Sequence, residues 1–214
     1  MRNTIENTSF HLPEPVIRRL PWYLSYAKLA RQKGEKSVSS TQIAHALNID
    51  TSQVAKDLSI LKIAGKTRVG YDLETLVETL SDVLGFSNTH SAFLVGVGNL
   101  GSALIQDNGL AQYGLRITAG FDTKFEMDGM RINQIPIHLM DDFAFLCRKT
   151  HTEIGVLTVP SECAQQVAEE MVAAGIRAIW NFTPFRIHVP EDIIVQNTSI
   201  YAHLALMFNR LNNK

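Results

Sequence analysis

Cysteine is scarce in this chain, with only two among 214 residues. Cys147 and Cys163 have neither the C-x-x-C spacing of a redox pair nor the spacing of metal ligands. Their number and placement exclude a cysteine-based metal centre. We therefore predict that both are small buried hydrophobic side chains in a reducing compartment, and we predict no metal site.

Long apolar runs are also missing, and none approaches the roughly 20 residues that a bilayer-spanning helix needs. Residues 1–7 lack the hydrophobic region of a secretory signal. These absences predict a cytoplasmic protein without membrane association. The chain is 45% hydrophobic and 19% charged, which is ordinary for a globular protein. Its length suits one large or two modest domains.

Neither sign of charge dominates the whole chain, whose formal net charge is −1. The two parts nevertheless differ. Residues 1–71 carry eleven basic against five acidic side chains, for +6, and residues 72–214 carry nine against sixteen, for −7. A basic small segment joined to an acidic larger one suggests that the N-terminal part meets a polyanion.

A strand, glycine turn and helix form the most informative pattern that is present. Apolar Phe93–Val95 precedes three glycines in the order G-x-G-x-x-G, and a helical pattern follows to Leu104. In such a turn Gly96 makes the bend, Gly98 lets backbone N–H groups approach a pyrophosphate, and Gly101 lets the helix pack on the strand. The helix N-terminus favours the same anion.

An acidic residue follows at the distance expected of a ribose ligand. Asp122 ends the apolar run that begins at Leu115 and lies 21 residues after Gly101. A carboxylate there accepts both ribose hydroxyls of an adenosine and repels a 2′-phosphate, which favours NAD(H) over NADP(H). Lys124 could weaken this preference by neutralising the site. The pattern predicts a dinucleotide-binding unit.

Strand and helix signals alternate from residue 85 onward. The segments are Ala92–Val97, Leu100–Leu110, Leu115–Phe121, Met140–Cys147, Ile154–Val159, Ser161–Ala174 and Ile176–Trp180. This alternation predicts the α/β class, with a parallel sheet covered by helices on both faces. Because ligands bind beyond the C-terminal ends of such strands, the loops Thr158–Pro160 and Asn181–Pro184 are also expected to face the cofactor.

The N-terminal region has the signals of short helices. Pro15–Lys33 has helical apolar spacing, and we expect the helix proper to begin near Pro21. Ser40–Leu47 and Ser52–Leu61 are two further helices joined by the turn Asn48–Thr51. Two short helices with a tight turn predict a helix-turn-helix.

A basic wing and a connecting helix complete this region. Lys66–Tyr71 is predicted to be the returning strand of the wing, and Asp72–Leu84 a helix that ends at Gly85. We therefore place a winged-helix domain at residues 1–84 and a Rossmann domain at 85–198. The tail, residues 199–214, has apolar side chains at helical spacing, which fits either core packing or a helix that packs on a partner subunit.

Together these motifs resemble the Rex family of redox-sensing transcriptional repressors over nearly the whole chain. The segments that carry the resemblance are Leu20–Leu24, Ser39–Ser40, Gln53–Ser59, Val69–Tyr71, Val95–Gly101, Phe121–Asp122, Leu157–Pro160, Ala173–Ile176 and Asn181–Pro184. The resemblance implies a homodimer with an N-terminal winged helix, a Rossmann domain and a swapped C-terminal helix. Such a protein represses fermentative and respiratory genes, and a high NADH/NAD ratio releases it from DNA.

Two sets of contacts are predicted on this basis. The residues expected to bind NADH or NAD are Gly96, Val97, Gly98, Asn99, Leu100, Gly101, Asp122, Thr158, Val159, Pro160, Asn181 and Phe182. On double-stranded operator DNA, two recognition helices of a dimer would enter major grooves about 34–36 Å apart on a palindromic site. Gln53 and Lys56 are expected at base edges. The residues expected at phosphates are Ser39, Ser40, Lys62, Lys66 and Arg68.

Four positions depart from the family pattern. Ala55 stands where the family usually has arginine, and Thr67 where it has the wing arginine, with Arg68 one position later. Asp107 replaces a tyrosine, and Ser199 replaces an aspartate. The resemblance implies that this tyrosine and aspartate take part in the cofactor-dependent rearrangement of the subunits, so both halves of a switching contact differ here.

Two other functions remain open from the sequence. One is an NAD(H)-binding, DNA-associated module with an altered redox response or none. The other is an NAD-dependent dehydrogenase, which generally needs a placed acid or base and a substrate domain. No substrate domain follows, and none of the candidate histidines sits in a recognisable catalytic pair: His138, His151, His188 and His203. We predict no catalytic residue and no enzyme activity.

Overall fold

The computed structural model describes residues 12–213, which form two units that divide between Asn88 and Thr89. The first eleven residues of the predicted N-terminal domain lie outside the described residues, as does Lys214. The division falls four residues beyond the predicted boundary at 84. Backbone hydrogen bonds from Phe86 N to Ser81 O and from Asn88 N to Gly85 O hold this turn on the preceding helix.

The N-terminal unit consists of helices around one apolar core, with a short antiparallel strand pair. Its elements are α1 (Glu14–Gln32), β1 (Ser37–Val38), α2 (Ser40–Leu47), α3 (Thr51–Ile60), β2 (Tyr71–Asp72) and α4 (Leu73–Val83). Leu20 of α1, Leu58 of α3 and Leu76 of α4 are fully buried together. The predicted helix-turn-helix is therefore present as α2 and α3.

Helix α1 is continuous and begins at Glu14, so the expected start near Pro21 is wrong. A proline inside a helix costs about 3 kcal/mol because its ring removes a hydrogen bond and crowds the preceding turn. Leu20 and Leu24, which flank Pro21, are fully buried. Burial of such side chains contributes about 1.5–3 kcal/mol each and offsets that cost.

The wing is a tight turn rather than the predicted strand over Lys66–Tyr71. Only Tyr71 and Asp72 are extended, and Lys66 exchanges backbone hydrogen bonds with Gly70 at 2.8 and 2.9 Å. Arg68 and Gly70 have φ angles of +65° and +91°. A Cβ atom on Gly70 would lie 2.4 Å from the Val38 carbonyl oxygen, so this turn packs directly on β1.

The C-terminal unit alternates strands and helices as the α/β prediction requires. Its elements are β3 (His90–Val95), α5 (Asn99–Gln106), α6 (Gly109–Gln112), β4 (Leu115–Asp122), β5 (Arg131–Ile132), β6 (Ile135–Leu139), α7 (Phe143–Thr150), β7 (Ile154–Leu157), α8 (Ala164–Ala173), β8 (Ala178–Asn181), β9 (Ile194–Asn197) and α9 (Ile200–Asn212).

The strands form one sheet in the order β5-β6-β4-β3-β7-β8-β9, in which only the β5–β6 pairing is antiparallel. Phe93 and Leu94 are neighbours on β3 but belong to different apolar clusters, one on each face. The sheet is therefore covered on both sides, as predicted. Strands β5, β6 and β9 were not predicted.

The predicted helix Leu100–Leu110 is divided at Asp107. This residue leaves the helical region with a ψ of 114°, and its carboxylate accepts the N–H groups of Gly109 at 3.0 Å and Leu110 at 3.2 Å. The side chain thus ends α5 and starts α6. Aspartate favours such local bonds over continuing a helix.

Every described residue of α9 is exposed, so the alternative in which this helix packs on the chain's own core is wrong. Its apolar stripe, which we call the α9 stripe, comprises Ile200, Leu204, Met207, Phe208 and Leu211. No helix in the described part of the chain is long and apolar enough to cross a membrane.

The two thiols differ more than predicted. Cys147 is buried on α7, and this burial raises its pKa to about 11 despite the opposing charge of Arg148. Cys163 is only half-buried, so the prediction that it is a buried side chain is wrong. Within residues 12–213, no three His, Cys, Asp or Glu side chains are grouped as metal ligands.

Candidate functional site

The glycine turn follows the central strand, β3, and lies between β3 and its neighbour β7, where the strand order reverses. Gly96 N donates to Phe121 O at 2.8 Å, and Thr158 N donates to Val95 O at 2.9 Å. The loops after β3, β4 and β7 therefore meet at one edge of the sheet. This edge is where open α/β sheets bind ligands.

Close backbone packing explains two of the three glycines. Gly96 has a φ of +97°, and a Cβ atom there would lie 2.8 Å from the backbone of Thr158. A Cβ atom on Gly101 would lie 2.1 Å from the Gly96 carbonyl oxygen. A Cβ atom on Gly98 would meet no atom within 4 Å. The turn is tight on its inner side and open at Gly98, where an anion can approach backbone N–H groups at the start of α5.

Asp122 contacts the glycine turn directly. Its Oδ2 accepts the N–H of Val97 at 2.8 Å, and its Oδ1 accepts the N–H of Lys124 at 3.0 Å. A carboxylate has about four lone-pair positions, so two remain for further donors. The sequence-predicted acid is thus brought to the turn with the capacity to accept two hydroxyl groups.

A cavity of about 330 Å³ adjoins the turn. Val159 and Pro160 from the loop after β7 and Met140 from the end of β6 give it apolar walls, while Asp122 stands at its edge. Ligand cavities of this kind combine apolar walls with few fixed polar groups. The arrangement can accept a nucleoside with its ribose at Asp122.

Thr158 serves the loop itself. Its hydroxyl lies 2.8 Å from Gly96 O and 3.0 Å from Val95 O and donates to these carbonyls. This bond holds the two loops together at the cavity. Phe182 is half-buried and packs against Trp180, with ring centroids 4.6 Å apart and ring planes tilted by 45°.

Asn181 was predicted to contact the cofactor, and this contact stays a prediction; its side chain is fully buried and fully bonded within the protein. Nδ2 donates to Phe185 O and to Asn197 Oδ1, both at 2.8 Å. Oδ1 accepts the backbone N–H and the hydroxyl of Thr183 at 2.9 and 2.8 Å. Asn181 fixes the loop after β8 and does not face the cavity.

Local side-chain caps begin both helices of the helix-turn-helix. Ser39 and Gln42 form a capping box at α2, in which Ser39 N donates to Gln42 Oε1 at 2.8 Å and Gln42 N donates to Ser39 Oγ at 3.1 Å. Asp50 caps α3, and hydrogen bonds from Ser52 and Gln53 hold its pKa below the usual range. Asn48 makes the turn with a φ of +53°.

The structure brings several predicted phosphate contacts together. A groove of about 470 Å³ runs between the start of α2 and the wing turn, and its lining includes Ser39, Ser40, Lys66 and Arg68. Lys62 is exposed just after α3 and does not line this groove.

The two predicted base contacts both lie on α3, and they differ in their bonding to the described part of the chain. Lys56 is exposed, whereas Gln53 is half-exposed and already bonded within the protein. Their contacts with DNA stay predictions.

Sequence reasoning missed a buried carboxylate at Asp57 of α3. Its Oδ2 accepts Arg19 Nε at 2.7 Å and the Tyr23 hydroxyl at 2.8 Å. Its Oδ1 accepts Arg19 Nη2 at 2.9 Å and Gln53 Nε2 at 2.8 Å. The sequence shows that Gln53 and Asp57 lie one helical turn apart. It does not show the partners of Asp57 on α1, Tyr23 and Arg19, which lie 34 and 38 residues away in the chain.

This network keeps Asp57 ionised. Burial by itself raises the pKa of Asp57, but hydrogen bonds from Arg19, Tyr23 and Gln53 outweigh it and hold the pKa below the usual range. Burial, together with the bond to Asp57, raises the pKa of Tyr23 to about 12. A carboxylate, a phenol and a guanidinium thus fix the recognition helix on α1.

Family models match both units. Residues 11–59 match one described as a putative DNA-binding protein N-terminus, and residues 87–185 match one described as a CoA binding domain. The chain is also similar to curated relatives called redox-sensing transcriptional repressor Rex. It is 58% identical to that of Bacteroides fragilis over 213 residues, covering 99% of this chain and 97% of the relative. It is 55% identical to that of Porphyromonas gingivalis W83, covering 98% of each chain.

Solved structures agree with these relatives. A crystal structure of RSP in complex with β-NAD⁺ and operator DNA is 30% identical, has a TM-score of 0.89, and covers 95% of this chain and 94% of that one. RSP in complex with β-NADH gives a TM-score of 0.84 at the same identity and covers 94% and 95%. Relatives at this identity over nearly the full length share their family. The chain belongs to the Rex family of redox-sensing transcriptional repressors.

Proposed function

We propose that this protein represses transcription by binding a palindromic operator as a homodimer, and that it leaves the operator when NADH occupies its C-terminal unit. The observation that carries the proposal is the union, in one chain, of a capped helix-turn-helix and a Rossmann unit whose glycine turn meets Asp122. Support comes from RSP, which has been crystallised with NAD⁺ and operator DNA and also with NADH. The relatives are repressors, so the dehydrogenase alternative is set aside.

The cofactor would lie across the glycine turn. Backbone groups of the turn residues 96–101, open at Gly98, would hold the pyrophosphate. Asp122 would accept the ribose hydroxyls through its two remaining lone-pair positions and repel a 2′-phosphate. Val159 and Pro160 would supply the apolar wall. Although one matching family model is named for CoA, the full-length match to RSP favours NAD(H).

Operator contact would come from the N-terminal unit, whose sequence is basic. Lys56 and Gln53 of α3 would reach base edges, because the N-terminal residues of a recognition helix lie in the major groove. The phosphate contacts would position the protein without reading sequence. They are Ser39, Ser40, Lys62, Lys66 and Arg68.

Dimerisation would use the α9 stripe. A stripe of five apolar side chains that residues 12–213 leave uncovered fits a helix that packs on a second copy. Release by NADH then requires that NADH bind more tightly to a dimer whose recognition helices mismatch the operator than to one whose helices match it.

A second candidate is a DNA-bound module with an altered redox response or none. It is favoured by the bonding of the two departures from the family pattern. The Asp107 carboxylate caps α6, and the Ser199 hydroxyl accepts the N–H of Ala202 at 3.2 Å as the cap of α9. Both side chains have local partners in place of a contact between subunits.

One experiment separates these candidates. An operator is selected from a randomised duplex library with the full-length protein, and NADH and NAD⁺ are then titrated separately into a gel shift at fixed salt. Release by NADH at concentrations where NAD⁺ has no effect supports the redox-sensing repressor. Equal effects, or none, support the second candidate. Failure to select any sequence contradicts both.

A further inference from the structure

We infer that Asp57 fixes the side-chain amide of Gln53 so that α3 reads one adenine in each operator half-site. The inference rests on the proposed function, because it assumes that α3 enters the major groove. It identifies Gln53 as the specificity-determining residue and Asp57 as a positioning residue.

The direction of the Gln53 amide follows from the chemistry of its partner. An ionised carboxylate only accepts hydrogen bonds, so Asp57 Oδ1 must face Nε2 of Gln53, which it does at 2.8 Å, rather than Oε1. The carboxylate itself cannot turn, because two N–H groups of Arg19 and the hydroxyl of Tyr23 hold it from α1. An exposed glutamine without such a partner would present either end.

The groups left on Gln53 match one base. Nε2 carries two hydrogens, of which Asp57 accepts one, so one donor and the Oε1 acceptor remain. Adenine presents the complement in the major groove, with N7 as acceptor and the N6 amino group as donor. Guanine presents two acceptors there, thymine one acceptor beside a methyl group, and cytosine one donor. Adenine alone engages both free groups of the amide.

The position of Gln53 suits this task. It is the third residue of α3 and half-exposed, in the first turn, where a recognition helix contacts base edges. Ser59, in the last turn of the same helix, is exposed and has no side-chain hydrogen bond among the described residues, which makes Ser59→Ala a matched control for changes to α3.

The first test is a selection experiment with the full-length protein and no NADH. The probe is a library of duplexes with randomised, two-fold-symmetric half-sites. We expect wild type and Ser59→Ala to select an adenine at one position per half-site, and Gln53→Ala to accept any base there. Its affinity for the wild-type sequence should fall about 5- to 150-fold.

Base analogues test the two contacts atom by atom. In the selected duplex, 7-deazaadenine removes N7 and purine removes the N6 amino group. Each should weaken wild-type binding roughly 3- to 10-fold, and neither should weaken binding by Gln53→Ala. A selected site without a Gln53-dependent adenine would overturn the inference and leave the proposed function standing. Selection of no sequence by the wild type would overturn both.

The positioning role of Asp57 is tested with two variants. Asp57→Asn offers Gln53 either a donor or an acceptor, so the preference for adenine should weaken. Tyr23→Phe removes one bond to the same carboxylate, but the two bonds from Arg19 still hold it and the bond to Gln53 remains, so its preference should match wild type. An Asp57→Asn protein that folds and keeps the full preference contradicts the role of Asp57.

A measurement on the wild type covers the case in which Asp57→Asn does not fold. In the free protein, the Gln53 side-chain amide, assigned by its loss in Gln53→Ala, should show hydrogen exchange about 5- to 10-fold slower than a solvated glutamine amide. Exchange at the rate of a solvated amide would show that Asp57 does not hold the Gln53 amide in solution.

Discussion

The buried carboxylate of Asp57 and its phenol partner make the stability of the N-terminal unit depend on pH at both ends. Asp57 has a folded pKa below its ordinary value of 3.8, so its contribution is present above that pH and is lost as pH falls through the folded pKa. Tyr23 has its pKa raised from 10.0 to about 12, so its contribution is present below pH 10 and is lost as pH rises to 12.

Tyr23→Phe tests the loss of stability that is expected at alkaline pH. A shift of this size corresponds to about 2–3 kcal/mol, so wild type should lose that much more unfolding free energy than Tyr23→Phe between pH 10 and 12. At pH 7 the variant should be about 1–3 kcal/mol less stable because it lacks a hydrogen bond to a charged group. Urea unfolding at each pH measures both quantities. Parallel pH profiles would rule out a role for this phenol.

Asp122→Ala tests the ribose ligand. Loss of hydrogen bonds to a charged group should weaken NADH binding about 10- to 100-fold, as measured by calorimetry. Asp128→Ala is the matched control, because Asp128 is an exposed acid six residues further along the same segment. Equal affinities of the two variants for NADH would exclude Asp122 from the site.

At the scale of elements, the wing turn depends on Gly70. Alanine there meets the Val38 carbonyl oxygen and is strained by a φ of +91°. Gly34 has a similar φ of +85° but open space around it, so Gly34→Ala carries the strain alone. We expect Gly34→Ala to cost about 1–2 kcal/mol and Gly70→Ala at least about 2 kcal/mol more. Equal unfolding free energies would show that the turn does not pack on β1 in solution.

Elements were predictable where their signal is local. The glycine turn, the two helices of the helix-turn-helix and Asp122 follow from spacing, because each depends on neighbours within about one element. The break at Asp107, the continuity of α1 through Pro21 and strands β5, β6 and β9 did not. The break at Asp107 comes from a local side-chain bond that competes with the helix, and the others are decided by burial or by pairing with distant residues that outweigh a weak local preference.

The site shows the same limit. Asp57 and Asn181 have side chains whose partners lie in other elements, and a sequence does not show that those partners use up every donor and acceptor. The sequence therefore did not reveal that the Asn181 side chain is bonded within the protein, and it gave Asp57 no role.

At the scale of the whole molecule, the proposed function assigns dimerisation to the α9 stripe. A 13-residue helix is marginal in water without packing, so α9 needs a partner surface. Phe208→Glu should convert the dimer to monomer, or raise its dissociation constant at least tenfold, in sedimentation equilibrium. Asn209→Glu, an exposed position on the opposite side of the same helix, places the same charge outside the stripe. A monomeric wild type, or an unaffected Phe208→Glu dimer, contradicts this assignment.

Charge is also distributed unevenly along the whole chain. The basic first third and the acidic remainder give a protein of small net charge a strong internal asymmetry. DNA attracts one part and repels the other, which favours approach by the helix-turn-helix.

Asn181 connects the sheet to the segment that precedes α9. Its amide joins the loop after β8 to Asn197 at the end of β9, and its carbonyl oxygen accepts the N–H of Thr198 at 2.8 Å. Helix α9 begins two residues later, at Ile200. Hydrogen bonds of Asn181 therefore tie the ligand-side edge of the sheet to Thr198, and Ser199 is the one residue between this tied segment and α9.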